Sequence, residues 1–272
     1  MMRDSWLVLL TQLQTEMTAV PKFPLLIQIC SVLQLVLMLP ILWIGVVAVL
    51  GLTRRKKDFP LVRKINRFAI VVCARNEETA LPSLLESIRR ADYPADHLRV
   101  YLFADHCTDR TAAIGRKYPF VSVYERKSGP TTGKGAVLNW GIPILFHDAG
   151  DSFDAVAVFD ADNVVSSDYF TQMNAQLNAG DEIIQGNRLG GKPYTSIVTK
   201  WYTLYWSCYS TFFSYAREKL NVGFSDGNGL CCDKKCAEGW MAHEDHHRGC
   251  GIHDSELPAG KKNCVLRIGG LL

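Results

Sequence analysis

The sequence predicts an α/β fold: a sheet dominated by parallel strands with helices on both faces, preceded by one N-terminal transmembrane helix. Three observations carry the prediction. From residue 67 onward, short apolar runs alternate with amphipathic stretches in a βαβα order, the pattern of crossover units whose strands are covered on both faces. Polar clusters follow those runs directly, at the carboxyl ends of the strands, where sheets of this kind collect their ligands. Ahead of them, residues 25–52 contain no charged side chain and exceed the roughly 20 residues that a bilayer crossing needs.

Gln28, Gln34 and Pro40 interrupt the apolarity of that first run without adding a charge. A secretory signal fits it poorly. The run is too long for an h-region, the basic residues Arg54, Arg55, Lys56 and Lys57 lie behind it, and no small-x-small cleavage pattern follows. Those four, with Arg63, Lys64 and Arg67, outweigh Arg3 and Lys22 on the other side, which places the main domain on the cytosolic face of the cell (plasma) membrane. Nine cysteines in a reducing compartment then predict no disulfide framework. A chain of 272 residues holds one sizeable domain. Its formal charge of +3 is spread out apart from the one cluster, so membrane lipid is an expected partner and nucleic acid is not.

Taken in order, residues 1–24 form an N-terminal segment, 25–52 the span, and 53–65 a basic linker containing Pro60. Arg67 to Cys73 reads as a buried strand through Phe68, Ile70, Val71 and Val72, followed by a helix with Leu81, Leu84, Leu85 and Ile88 on one face. Leu98 to Phe103 is a second strand. Thr108 is the expected N-cap of a helix running towards Lys117, with Asp109 in its first turn. Val121 to Tyr124 is a short third strand, Gly133 to Gly135 open another helix, and Ala155 to Phe159 form an apolar strand that ends abruptly in Asp160-Ala161-Asp162-Asn163. Glu182 to Gln185 adds a further strand. The stretch from Trp201 to Tyr215 carries Tyr202, Tyr205, Trp206, Tyr209 and Phe212 at helical spacing. It is expected to pack into the core or lie on the membrane surface rather than to stack sugars.

Two clusters carry chemistry. Asp160 and Asp162, separated by one small residue just beyond a buried strand, can face one hard cation and leave its other positions to phosphate oxygens. Gly133-Lys134-Gly135 offers close backbone approach, free amides at a helix start and one cation, a combination suited to a diphosphate. There is no G-x-x-x-x-G-K-[ST] and no G-x-G-x-x-G, so P-loop and dinucleotide readings lack their signatures.

The order of these features resembles the family 2 glycosyltransferases, which have the GT-A fold. Val72-Cys73-Ala74-Arg75-Asn76-Glu77-Glu78 is similar to the opening motif of that family, and Ala104-Asp105-His106-Cys107-Thr108-Asp109 stands where it often has A-D-N-C-T-D. Tyr124-Glu125-Arg126, Gly133-Lys134-Gly135, Asp160-Ala161-Asp162 and the small-residue loop Gly227-Asn228-Gly229 follow at family-like intervals. The resemblance implies that Ala74, Arg75 and Glu77 line a nucleoside pocket and that Asp105 bonds the uracil edge of a UDP-sugar. It further implies that Lys134 neutralises the diphosphate, that Asp160 and Asp162 hold Mg2+ or Mn2+, and that Gly227, Asn228 and Gly229 lie near donor and acceptor sugars. His106 replaces the usual Asn. The implied reaction is an inverting transfer to a polysaccharide or lipid acceptor, for which a carboxylate must deprotonate the acceptor hydroxyl. A nucleotidyltransferase would want a glycine-rich loop after the first strand, and Cys73 to Glu78 contains no glycine.

The family takes its base from a T-E-D motif beyond the glycine loop, and no T-E-D is present in frame. From about His243 the texture changes: no aromatic residue follows Trp240, and four of the seven histidines cluster there. A zinc site of Cys231, Cys232, Cys236, His243, His246, His247 and Cys250 has poor ligand spacing. A one-base frame shift fits better. Residues 245–252 can then become T-I-T-E-D-V-E-F and residues 258–265 L-Q-G-K-K-I-A-Y, both similar to the family downstream of its base. On that reading 66–242 is an incomplete GT-A domain, 243–272 is an out-of-frame tail, the chain keeps the donor site but is inactive through truncation, and Asp245 is only a fallback base. The competing class is a catalytically silent nucleotide-binding membrane protein.

Overall fold

A computed structural model describes residues 24–52, 62–131, 133–187, 196–209, 212, 216, 229–242 and 267–271. The first unit is a helix, α1 (Pro24–Leu52), with Pro40 inside it. Its stretch Ile27–Leu50 has a mean hydropathy of 2.6 and exposes its side chains nearly throughout. It is long and apolar enough to cross a membrane, and a helix that is hydrophobic all round requires either a core or a bilayer around it.

The second unit is built on a seven-stranded sheet. Its elements are β1 (Phe68–Ala74), α2 (Leu81–Arg89), β2 (Leu98–Asp105), α3 (Thr111–Gly115), β3 (Val121–Arg126), α4 (Lys134–Ala149), β4 (Ala155–Asp160), α5 (Tyr169–Asn178), β5 (Ile183–Asn187), α6 (Ile197–Cys208), β6 (Leu230–Asp233), α7 (Lys234–Ala242) and β7 (Arg267–Leu271). The strand order is β3-β2-β1-β4-β6-β5-β7. β1 pairs in parallel with both β2 and β4, β2 with β3, and β5 with β7, while β6 runs antiparallel to β4 and β5. The chain steps outward from β1 to β3 and then returns to the other side of β1. The crevice at the carboxyl ends of β1 and β4 is therefore the topological switch point, where α/β sheets bind ligands.

Strand alternation sorts the core into two layers. On one face Phe68, Ile70 and Val72 of β1 pack with Leu81, Leu84, Leu85 and Ile88 of α2 and with Tyr169, Phe170 and Met173 of α5. On the other, Ala69 and Val71 pack with Val137, Leu138, Ile142 and Leu145 of α4. Gly141 lets α4 lie directly on β2, because a Cβ there would stand 2.3 Å from the Phe103 ring. At the amino ends of the strands the incoming chain is fixed by amide side chains. Asn178 Oδ1 accepts from the backbone of Arg63 and Lys64, and Asn174 Oδ1 accepts from both nitrogens of Asn66.

Several expectations are corrected. Thr108 caps no helix: α3 begins at Thr111, with Asp109 Oδ1 accepting from the Thr111 amide at 2.9 Å and hydroxyl at 2.6 Å. An Asp two residues ahead of the acceptor's partner closes a local turn more readily than Thr108 could reach. Core packing does not hold for the aromatic segment either, since no residue of α6 is buried and Trp201, Tyr202 and Tyr205 are each more than half exposed. Its rings meet one another along the helix instead, Tyr202 with Trp206 and Trp206 with Tyr209. Tyr215 lies outside the described residues. Cys231 and Cys232 point into opposite layers of the core, so they cannot share one zinc ion; His243, His246, His247 and Cys250 lie outside the described residues.

Candidate donor-binding site

The carboxyl edge of the parallel strands gathers the predicted residues. Cys73 is level with Phe103 on one side and with Asp160 on the other, and Asp105 is level with Arg126. Neighbouring strands lie about 4.8 Å apart, so Asp105 on β2 and Asp160 on β4 flank β1 with about 10 Å between their strands, and Asp105 stands two residues further along in register. That is the scale of a nucleoside diphosphate laid over the edge. Ala74, the last residue of β1, is buried beneath the crevice, and Arg75 directly after it is exposed.

On the β2 side, Asp105 is buried and ion-paired. Arg126 Nη1 lies 2.7 Å from Oδ1, and His106 Nδ1 lies 2.8 Å from the same oxygen. Burial alone would raise the Asp105 carboxyl. The hydrogen bonds from His106 and Arg126, with the charges behind them, outweigh it and hold the group below the ordinary carboxylate range. His106 adopts φ +48, a left-handed conformation in which Asn and His are over-represented. This turn position thus suits His as well as Asn, and the imidazole adds a second donor to Asp105.

The β1 and β2 loops are stitched together. Asn76, at φ +56, accepts from the Thr108 amide at 2.8 Å. The Glu77 amide donates to Thr111 Oγ1 and the Glu78 amide to Asp109 Oδ2, while Arg110 donates back to Glu78. These bonds set the position of Glu77, whose carboxyl is raised by burial and then by the negative charges of Asp162, Asp109 and Asp160. The shift places Glu77 in the field of the aspartate pair. Sequence reasoning missed Asn76, Glu78, Asp109 and Thr111 as scaffold residues and gave Arg126 no role. One signal was available for Arg126: a strand closing on arginine beside one closing on aspartate is a candidate buried pair.

On the β4 side, Asp160 ends the strand, Ala161 is buried, and Asp162 stands exposed in a turn closed by the Asn163 amide on the Asp160 carbonyl. Gly133, at φ +114, is the N-cap of α4 and Lys134 is its first residue. Lys134 Nζ lies 2.5 Å from Asp160 Oδ1. An ammonium group thus already stands where a hard cation would meet Asp160, and oxygen-only donors are what Mg2+ or Mn2+ prefers. Among the described residues no cluster of three or more His, Cys, Asp or Glu converges here. Two carboxylates would leave several coordination positions to phosphate and water, so the residues fit a nucleotide-bridging ion.

Gly229, at φ +64, lies against β4: its amide donates to the Val158 carbonyl, and its own carbonyl accepts from the Gly186 amide and Tyr169 hydroxyl. With Leu230 level with Val158 on the antiparallel β6, the end of the glycine loop lies at the carboxyl end of β4, near Asp160. Gly227, Asn228 and Asp245 lie outside the described residues.

Residues 66–257, well over half of the chain, match the family model described as glycosyltransferase like family 2, and the chain belongs to that family. A beta-monoglucosyldiacylglycerol synthase from Synechocystis is 36% identical over 103 residues, 36% of this chain and 20% of that protein. The synthase of the same name from Nostoc is 32% identical over 104 residues, 37% of this chain and 21% of that protein. The matched segment therefore spans about a fifth of the length of these relatives. Among solved structures, a mannosyltransferase from Pyrobaculum calidifontis in complex with GDP-Man and Mn2+ superposes with a TM-score of 0.52 at 17% identity, covering 73% of this chain and 53% of that one. It shares the GT-A fold expected from the sequence.

Proposed function

We propose that the chain binds a UDP-sugar at the carboxyl edge of β1, β2 and β4 and serves the transfer of a hexose to a membrane acceptor. The observation that carries the reading is the ion pair between Lys134 and Asp160 beside Asp162: one cation and two carboxylates at a switch point suit a diphosphate with its bridging metal. In this reading Asp105 accepts from the uracil ring and Ala74, Arg75 and Glu77 line the nucleoside pocket. Lys134 balances the diphosphate charge, Asp160 and Asp162 hold Mg2+ or Mn2+, and Gly227, Asn228 and Gly229 border the sugar. The metal, when bound, neutralises charge on the departing diphosphate. The acceptor oxygen forms the new bond to the anomeric carbon as the bond to UDP breaks, with inversion, and the acceptor proton passes to a carboxylate base.

A lipid acceptor is favoured over a polysaccharide because the two cyanobacterial relatives are named for a glucosyldiacylglycerol. The apolar helix α1 and the basic residues behind it support a site on the cytosolic face of the plasma membrane. Calorimetry of UDP with Mn2+ present or chelated tests the donor site. Affinity should fall at least about tenfold on chelation and again in the double variant Asp160→Ala, Asp162→Ala, in line with the loss of a charge-assisted contact. Equal affinity in all three cases sinks the reading.

A second reading is a catalytically silent nucleotide-binding membrane protein, favoured by the lack of T-E-D in frame; Asp245 is the fallback base of the first reading. UDP binding without UDP-sugar turnover supports it. The frame-shift account of residues 243–272 is tested by the codons for 245–252: a nucleotide sequence that cannot encode T-I-T-E-D-V-E-F one base over removes it.

A further inference from the structure

Asp105 receives two donors on one oxygen. Arg126 and His106 both bond Oδ1, and among the described residues no donor reaches Oδ2. The second arm of the guanidinium, Nη2, donates to the Pro130 carbonyl at 2.8 Å. Gly129 permits that wrap: at φ +91 it has no Cβ, and one would stand 2.9 Å from Nη2. Arg126 therefore grips the end of β2 with one arm and the turn leading to Gly133 and Lys134 with the other. Side chains of both partners are only 5% exposed. Burying such a pair gives no stability that an apolar pair of similar volume could not supply, so its use lies in holding a geometry.

We propose that Arg126 is a positioning residue for base selection: it withholds Asp105 Oδ1, presents Oδ2 to the nucleobase, and ties that carboxylate to the turn that carries Lys134. The inference rests on the donor-site reading and deepens it. An ionised carboxylate oxygen only accepts. It pairs with the ring N–H that uracil offers at N3 and repels the lone pair that cytosine carries at the same position. A hydrogen bond to a charged group distinguishes the two by about 10- to 100-fold.

The test is calorimetry of UDP and CDP, with excess Mn2+, on the full chain in detergent micelles. Unmodified protein is compared with Arg126→Met, Arg126→Lys and Gly129→Ala, each with a thermal melt. Unmodified protein should prefer UDP by at least about tenfold. In Arg126→Met the preference should collapse towards one, and Arg126→Lys should recover part of it. The charged groups facing Asp105 are Arg126 from β3 and His106 from its own loop, with the Cys107 thiol beside them. Without Arg126, burial should lift the carboxyl, so the acid limb of UDP binding should move to higher pH. Gly129→Ala keeps the charge and pushes on Nη2, and it decides the matter if Arg126→Met does not fold: a smaller loss of preference is expected. Parallel weakening of UDP and CDP, with the ratio and the acid limb unchanged in the folded variants, overturns the role of Arg126 alone. No UDP binding by the unmodified chain overturns the donor-site reading and this inference with it.

Discussion

The two ends of the candidate donor site are built on opposite principles. At the β2 end, the Asp105 and Arg126 side chains are both 5% exposed and fixed by three hydrogen bonds. At the β4 end, the Lys134 and Asp160 side chains are 26% and 41% exposed, and Asp162 stands in solvent. The first end is over-determined before any ligand arrives, whereas the second can exchange partners. The difference fits what each would bind. A base edge is recognised by direction and rewards a preset acceptor. A diphosphate with its ion is recognised by charge and needs groups that can leave one another for it.

The largest effect should come from breaking the buried end. Asp105→Ala leaves the largely buried Arg126 side chain without its carboxylate, and a truncated buried pair costs about 3–5 kcal/mol. The melting temperature of the detergent-solubilised chain should fall by many degrees. A melt within a degree of the unmodified protein would show that this end is no more rigid than the other.

Lys134→Met should separate binding from stability. The pair it breaks is partly solvated and worth about 0–1 kcal/mol to the fold, so the melt should barely move. UDP affinity should nevertheless drop about 10- to 100-fold, the range for losing a charged hydrogen-bonding partner. Uridine, lacking phosphate, should bind unchanged. An equal loss for uridine would place Lys134 at the base end and erase the contrast.

Titration should move the two ends in opposite directions. Asp105 has a folded pKa below its unfolded one, so its contribution to stability is present above the unfolded value and is lost as pH falls through the folded value. Glu77 has a folded pKa above its unfolded one, so its contribution is present below the unfolded value and is lost as pH rises through the folded value. Glu77→Gln should therefore stabilise the ligand-free protein at neutral pH, by under about 1 kcal/mol for a partly solvated group. The gain should vanish below pH about 4. A loss at neutral pH would mean that Glu77 is held by attraction rather than crowded by Asp162 and Asp160.

Much of this architecture was legible because it depends on local pattern. The runs at Phe68, Leu98, Val121 and Ala155 are apolar and short, and each became a strand within two residues of its expected ends. Asp105, Asp160 and Asp162 were legible because polar residues at the ends of buried strands have few places to go but the carboxyl edge, and Lys134 because a lysine between two glycines opens the next helix. Arg126 was not, since its partner lies 21 residues away and only strand register brings them level. Asn76 and Asp109 were hidden for the same reason: their bonds join two loops 31 or 32 residues apart. The strand β7 could not be read either, because Arg267–Leu271 carries no alternating pattern and takes its place by pairing with β5.

The smallest expected effect concerns α6 and checks whether rigidity is confined to the site's buried end. Apolar residues at helical spacing usually signal a core face, yet Ile197, Val198, Trp201 and Tyr205 are all more than half exposed. The helix is held by its capping box and by ring contacts along its own surface. Surface substitutions away from a packed core usually change stability by no more than about 0.5 kcal/mol. Trp201→Ser should accordingly leave both the melt and UDP affinity where they were. A loss near the 3–5 kcal/mol typical of a buried tryptophan truncated to alanine would mean that α6 packs against the domain in solution, and that its aromatic face belongs to the core after all.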